Sequence, residues 1–235
     1  MFNALPNVRL SGENHNELMY IANLTNNLLD NRPNLLKHPV DKPTGPFTHN
    51  AIPKGSMGCI AQKIVHNLNP PPLEIQQDKS FNMEEYDRGL ILGFKTVRLH
   101  QSGWAGEEAA EYIKTHFPCA RLLINFQTNV THQFLSYKRT FNHMDGEEYL
   151  GPSIEALQNI NQFQLALNKN MKGMSRLIDL DNWSNNVGVL NSVVKWMGYK
   201  NCQFDEIVHE NNKGYATDTE TVLSVGEDCM YPFAG

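Results

Sequence analysis

Apolar and polar positions alternate in blocks through the middle of the chain. Between residues 90 and 142 the text runs LILGFKTVRL, QSGWAGEEAAEYIKTHFPC, ARLLINF and QTNVTHQFLSYKRTFNH. That is a short apolar run, a pattern of helical period, a second apolar run and a second helical pattern. Runs of this length, bounded by Gly and Pro and separated by a helix of about a dozen residues, predict parallel strands joined by a crossover helix. The strands are expected at 90–99 and 120–126 and the helix between them at 107–117, with Ala110, Ile113 and Phe117 inward and Pro118 as its stop. The second strand is nearly all apolar, which predicts burial on both faces. In such a sheet a ligand sits beyond the carboxyl ends of the strands, so the chemistry is expected near Lys95, Arg98 and the segment 125–136.

The flanks carry weaker patterns. Phe2 and Leu5 fit the last turn of a helix stopped by Pro6, and Val8-Arg9-Leu10 a brief extended piece. A helix is expected at 14–30, with Leu18, Ile21, Leu24 and Leu28 on one face. Glu13 then stands just before or in its first turn, where a carboxylate meets the positive end of the helix dipole. From 32 to 55 the prolines Pro33, Pro39, Pro43, Pro46 and Pro53 make a long irregular segment, a candidate substrate-side flap. His38 and His49 within it have no second ligand at metal spacing and read as solvated. A helix at 56–67, with Ile60, Ile64 and Val65 apolar, ends before Pro70-Pro71-Pro72, and a short acidic helix is expected at 81–89. Beyond the central unit, a helix at 152–171 has Ile154, Leu157, Ile160, Leu165 and Leu167 inward, and Trp183 and Trp196 are expected in the core.

Composition narrows the function classes. A chain of 235 residues with 40% hydrophobic content can bury a substantial core as one domain with an appendage. A net charge of -5 argues against a nucleic-acid-binding surface. No apolar run approaches the roughly eighteen residues of a membrane span and the first residues form no signal peptide, so a soluble chain without membrane contact is expected. Cys59, Cys119, Cys202 and Cys229 are far apart and form no CxxC, which points to isolated thiols, with one or two disulfides the alternative. Sequons at Asn23, Asn129 and Asn182 are expected by chance in so Asn-rich a sequence and do not locate the protein.

The residues of the central unit carry a resemblance. The order GFK-x-x-R, helix, FP-x-A-R, apolar strand, then Ile124-Asn125-Phe126-Gln127-Thr128-Asn129 with Gln133 and Ser136 resembles the sulfotransferase family, which uses 3'-phosphoadenosine 5'-phosphosulfate (PAPS). In the branch it most resembles, the text is approximately INYR-x-N followed by Gln and Ser, with the Arg and Ser holding the cofactor's 3'-phosphate. Gln127 stands at the Arg position, and an amide lacks the charged bidentate grip of a guanidinium. LPNVRLSGEN at 5–14 resembles the HP-x-V-R-x-x-GE segment of tyrosylprotein and related sulfotransferases, where a glutamate takes the acceptor proton. The stretch 174–180 resembles the family's late strand and 182–199 its late helix, with Val187, Leu190, Val194 and Met197 on one side. Lys213 and Gly214 fall where the family places a Lys- and Gly-containing loop over the cofactor.

The resemblance implies a three-layer α/β fold, a parallel sheet with crossover helices of the P-loop NTPase-like sulfotransferase type, over residues 1–215, followed by a C-terminal tail at 216–235. It implies Glu13 as base and Lys95 as the group that stabilises sulfuryl charge, with Lys95 or Arg98 on the ligand or in a surface ion pair with Glu107, Glu108 and Glu111. Arg98, Gln127, Ser136, Lys213 and Gly214 would contact the cofactor; no metal is required. The acceptor would be a hydroxyl on a small molecule, a carbohydrate or a tyrosine, and the compartment Golgi or cytoplasm. The family's first strand and its Gly/Ser/Thr-rich phosphosulfate loop occur nowhere in the sequence, so they are expected before Met1. In this family that strand lies in the middle of the sheet; without it the inner edges stay unpaired and the chain is expected to be inactive with PAPS. The rival reading is a non-catalytic binding or scaffold module on the same outline. A glycosyltransferase or nucleotide kinase relative is a further enzyme alternative, with no P-loop to support it.

Overall fold

Two pairs of parallel strands carry the fold, and each pair joins one strand of the central unit to a strand outside it. In the computed structural model the described residues are 2, 5, 7–13, 18, 20–23, 54–67, 90–96, 99–141, 151–183, 186–207, 226 and 229. β1 (Val8–Glu13) is followed by α1 (Lys54–Asn67) and β2 (Ile91–Lys95). A 3-10 turn (Leu99–Ser102) and α2 (Gly106–His116) lead to β3 (Leu122–Phe126). Next come α3 (Val130–Phe141), α4 (Ile154–Asn170), β4 (Ser175–Asp179), α5 (Leu180–Trp183) and α6 (Val187–Trp196). β1 and β2 run parallel from Val8 opposite Ile91 to Glu13 opposite Lys95, with an irregularity between Ser11 and Glu13. β3 and β4 run parallel from Leu122 opposite Ser175 to Phe126 opposite Asp179.

The α/β class and the parallel sense agree with the sequence pattern; among the described residues the strands form two separate pairs and not one continuous sheet. Among the described strands β2 pairs with β1 and β3 with β4, so the two central apolar runs are not hydrogen-bonded neighbours. The helix between them packs chiefly on another helix. At Gly106, the first residue of α2, an added Cβ would lie 2.6 Å from the Phe163 carbonyl oxygen and 2.7 Å from the Leu167 nitrogen of α4. Only a glycine permits that approach of backbone to backbone.

Two apolar cores lie on opposite faces of the strands. One gathers Leu18, Ala22, Leu99, Ala109, Ala110, Tyr112, Ile113, Ile124, Leu167 and Met171, with Phe94 packed against it. The other gathers Leu5, Val8, Leu190, Val194, Tyr199, Cys202 and Phe204, with Ile91 packed against it. Ile91 and Phe94 are three apart on β2, and an odd spacing in a strand points to opposite faces. α6 therefore covers the face away from α2. The second core is closed by a disulfide between Cys202 and Cys229, which corrects the reading of isolated thiols for this pair; Cys119 is free and exposed. The sequence spacing of 27 gave no CxxC signal because the pairing depends on where Tyr199, Phe204 and Cys229 meet the core.

Element boundaries moved where tertiary contacts outweighed the local pattern. β2 stops at Lys95, short of the expected 99, since Leu99 is buried in the 3-10 turn. β3 is packed on one face only: Ile124 is buried, while Leu123 is 38% exposed and Asn125 is exposed. α4 starts at an N-cap, Ser153, whose hydroxyl accepts the Ala156 N–H at 3.1 Å, and it buries Leu157, Asn161 and Leu167. Ile154 and Leu165, expected inward, are 41% and 46% exposed because they fall off the stripe that 157, 161 and 167 define at helical period. The late helix is broken into α5 and α6, with Asn186 capping the second through its bond to the Gly188 N–H. Trp183 and Trp196 are half-buried rather than core, the latter beneath the Arg121 guanidinium at 5.3 Å.

The expected flap at 32–55 lies outside the described residues apart from 54 and 55, the acidic helix at 81–89 wholly so, and the tail apart from 226 and 229. Leu18 and residues 20–23 are helical, as expected of the helix at 14–30. Among the described residues no helix is long and apolar enough to cross a membrane.

Candidate functional site at the strand exits

Each strand pair delivers its own group of polar residues at the carboxyl ends. In the first pair the register sets Glu13, the last residue of β1, opposite Lys95, the last residue of β2. Glu13 is thus the last residue of a strand, and the start of the helix expected after it lies outside the described residues. The extension of β1 from the expected 8–10 to residue 13 follows from its pairing along the whole of β2. Lys95 is exposed. Arg98, Lys213 and Gly214 lie outside the described residues.

The second pair is richer. Asn129 is the residue before α3, and its Oδ1 accepts the His132 N–H at 2.9 Å, the usual device for starting a helix. Ahead of it the chain turns through Gln127, which is 6% exposed, and Thr128. β4 ends opposite Phe126, which brings Asp179 and Asp181 to the same corner. Asp179 accepts the Thr128 backbone N–H at 3.2 Å and the Thr128 hydroxyl at 2.5 Å. It also accepts the Asp181 N–H at 3.2 Å and the Asn182 amide at 3.1 Å. Asp181 accepts the Asn129 N–H at 2.9 Å and the Gln127 amide at 2.8 Å, and its Oδ1 lies 3.2 Å from His132 Nδ1.

A helix start with free N–H groups favours an anion, as the sequence pattern implied for 125–136. Here the anions are the chain's own carboxylates. Burial pushes the Asp181 carboxyl up, but the Asn129 N–H, the Gln127 amide and the His132 imidazole more than offset it and hold it below the usual carboxylate range. Nδ1 of His132 lies between the Asp181 carboxylate at 3.2 Å and the Gln127 amide nitrogen at 3.1 Å, and its tautomer decides whether it donates to the first or accepts from the second. The His132 side chain is 62% exposed, so an Asp-oriented imidazole faces solvent at the β3 exit, the arrangement of a general base.

α4 braces this corner from below. Asn161 donates to the Gln127 carbonyl at 2.8 Å and Gln164 to the Asn125 carbonyl at 3.2 Å, while the Trp183 indole donates to Asn125 Oδ1 at 3.2 Å. The Oδ1 of buried Asn161 and the Oε1 of Gln164 find no donor among the described residues. Ser136 sits in the second turn of α3 and is exposed.

The structure therefore brings Glu13 to Lys95, and Gln127 to Asp181 and His132. Sequence reasoning singled out Gln127 but missed Asp179 and Asp181. The available signal was the D-x-D that closes the strand at 175–179, because carboxylates there face whatever leaves the neighbouring parallel strand. Among the described residues, no group of three His, Cys, Asp or Glu side chains is placed to hold a metal ion. No family model, no curated protein and no solved structure matches this chain.

Proposed function

We propose that the chain is a sulfotransferase-like domain whose chemistry is in-line transfer of a sulfuryl group from PAPS to a hydroxyl acceptor. The observation that carries this reading is the register of β1 and β2, which sets Glu13 opposite Lys95 at the strand exits. Sulfuryl transfer, like phosphoryl transfer, is mostly positioning and charge stabilisation plus one base for the acceptor proton. Glu13 is that base and Lys95 meets the charge on the sulfuryl oxygens. Gln127 and Ser136 contact the 3'-phosphate, with Arg98, Lys213 and Gly214 as further cofactor contacts. The strand pairing supports the finer fold assignment too: β2 and β3 each pair on one side among the described strands, as expected where a central strand belongs between them.

A second reading, a non-catalytic binding module on the same outline, is favoured by one observation. The N–H of Asn129 and the amide of Gln127, which a 3'-phosphate would need, already hold the Asp181 carboxylate. Calorimetry of the full chain with adenosine 3',5'-bisphosphate separates the two. Micromolar binding, weakened by Ser136→Ala, supports the sulfotransferase reading; no binding at millimolar ligand supports the module. Because the sequence holds no Gly/Ser/Thr-rich phosphosulfate loop, product binding is the primary measurement. If turnover with PAPS is found, Glu13→Gln lowers it by about a hundredfold or more.

A further inference from the structure

One stripe of α2, with Trp104 two residues ahead of the helix, lines an open cleft of about 350 Å³: Trp104, Glu108, Glu111, Tyr112, Thr115 and His116. Glu108, Tyr112 and His116 are four apart, and Glu111 and Thr115 lie beside them at the same spacing, which is that of a single helix face. The rings are layered. Trp104 lies 4.9 Å from Tyr112 with a 40° tilt, and Tyr112 lies 4.5 Å from His116. Two rings this close leave no room for a ligand between them, but Trp104 is only half-buried and presents its remaining surface to the cleft.

The charge around these rings is negative. Glu108 uses one oxygen to accept the Ala105 N–H at 2.8 Å, and Glu111 lies 3.5 Å from Lys114, the cation paired with it among the described residues. His116 is 4% exposed, and burial lowers its pKa, so it is neutral at physiological pH and offsets none of that charge. Its Nδ1 has no hydrogen-bond partner among the described residues. Elsewhere an indole already carries its cation, Arg121 over Trp196 at 5.3 Å; among the described residues no cation lies over the Trp104 ring.

We propose that this cleft binds an organic ammonium group, held over the Trp104 ring between Glu108 and Glu111. Electron-rich ring faces with carboxylates alongside attract a weakly hydrated cation, and an alkylated ammonium has both the charge and the apolar methyl surface that such a cleft matches. The group could come from a small quaternary amine or from a methylated lysine side chain, which share this chemistry. The cleft shares no lining residue with the strand-exit groups and does not depend on the sulfotransferase reading.

The test is titration of the full chain, followed by tryptophan fluorescence and calorimetry, with choline, with its neutral isostere 3,3-dimethyl-1-butanol, and with a trimethyllysine peptide. Choline is expected to bind about tenfold or more tightly than the isostere, the discrimination a desolvated cation–π contact with a flanking carboxylate supplies. Trp104→Ala is expected to abolish binding and Trp104→Phe to weaken it. Glu111→Gln, at a side chain 75% exposed where folding is not at stake, is expected to weaken choline several-fold and leave the isostere unchanged. Tighter binding of the peptide than of choline assigns the side-chain source, and the reverse assigns a free amine. Equal binding of choline and isostere, no saturable binding of any cation, or binding indifferent to Glu111→Gln overturns the proposal.

Discussion

Replacing Asp181 by alanine tests whether the β3–β4 corner is held by its carboxylate. The side chain accepts from the Asn129 N–H, the Gln127 amide and the His132 ring, and these three losses differ in cost. Asn129 and His132 are exposed, so water replaces the acceptor and the net loss there is small. Gln127 is 6% exposed, and its amide loses a charged acceptor that water reaches poorly. A buried donor left without a partner costs about 1–3 kcal/mol, and His132 Nδ1, 3.1 Å away, can relieve part of this by changing tautomer. The expected loss is therefore about 2 kcal/mol, close to a 1 M fall in the urea midpoint at an unchanged slope. Asp181→Asn keeps one acceptor oxygen and should lose about half as much. Because the folded carboxyl is held below its usual pKa, its contribution is present above the unfolded value near 4 and disappears as pH falls through the folded one, so wild type and Asp181→Ala should converge at low pH. Equal midpoints for wild type and Asp181→Ala at pH 7, or a gap that widens on acidification, would refute the assignment. The same variant exposes the N–H groups at the start of α3, and under the sulfotransferase reading it should bind adenosine 3',5'-bisphosphate more tightly than wild type does.

Reducing the Cys202–Cys229 bond, or replacing both cysteines by alanine, opens a loop of sequence separation 27; the chain-entropy estimate for such a loop is about 3.5 kcal/mol, read as a lower urea midpoint in reductant that the double variant no longer shows. His116 is buried with its pKa lowered by desolvation, so the unfolded chain takes up a proton that the folded one refuses. Stability should fall as pH drops below the unfolded value near 6.5, and His116→Phe should flatten that part of a melting-temperature profile. Gly106→Ala sets helix propensity, which favours alanine by about 1 kcal/mol, against a Cβ placed 2.6 Å from the Phe163 carbonyl oxygen. The clash should win by about 1–3 kcal/mol in urea unfolding, and a stabilised variant would show that α2 and α4 are less closely apposed.

What the sequence determined was local. The helical period of 107–117 and its proline stop placed α2 to within a residue at each end, and the apolar runs located β2 and β3, because side-chain periodicity and chain breakers act over a few residues. The end of the second apolar run likewise marked a strand-to-helix junction within 125–136, while Gln127 was singled out only through the family resemblance. Which strands pair was decided elsewhere. Val8 meets Ile91 and Leu122 meets Ser175 across long stretches of chain, and no local pattern encodes a register of that kind. The tertiary structure alone turned Glu13 from a helix-flanking residue into the neighbour of Lys95, joined Cys202 to Cys229, and brought Asp179 and Asp181 onto the amides beyond β3. Hydrogen bonds and ion contacts fall off within a few ångströms, so a site assembled from distant segments exists only once the core has set those segments side by side.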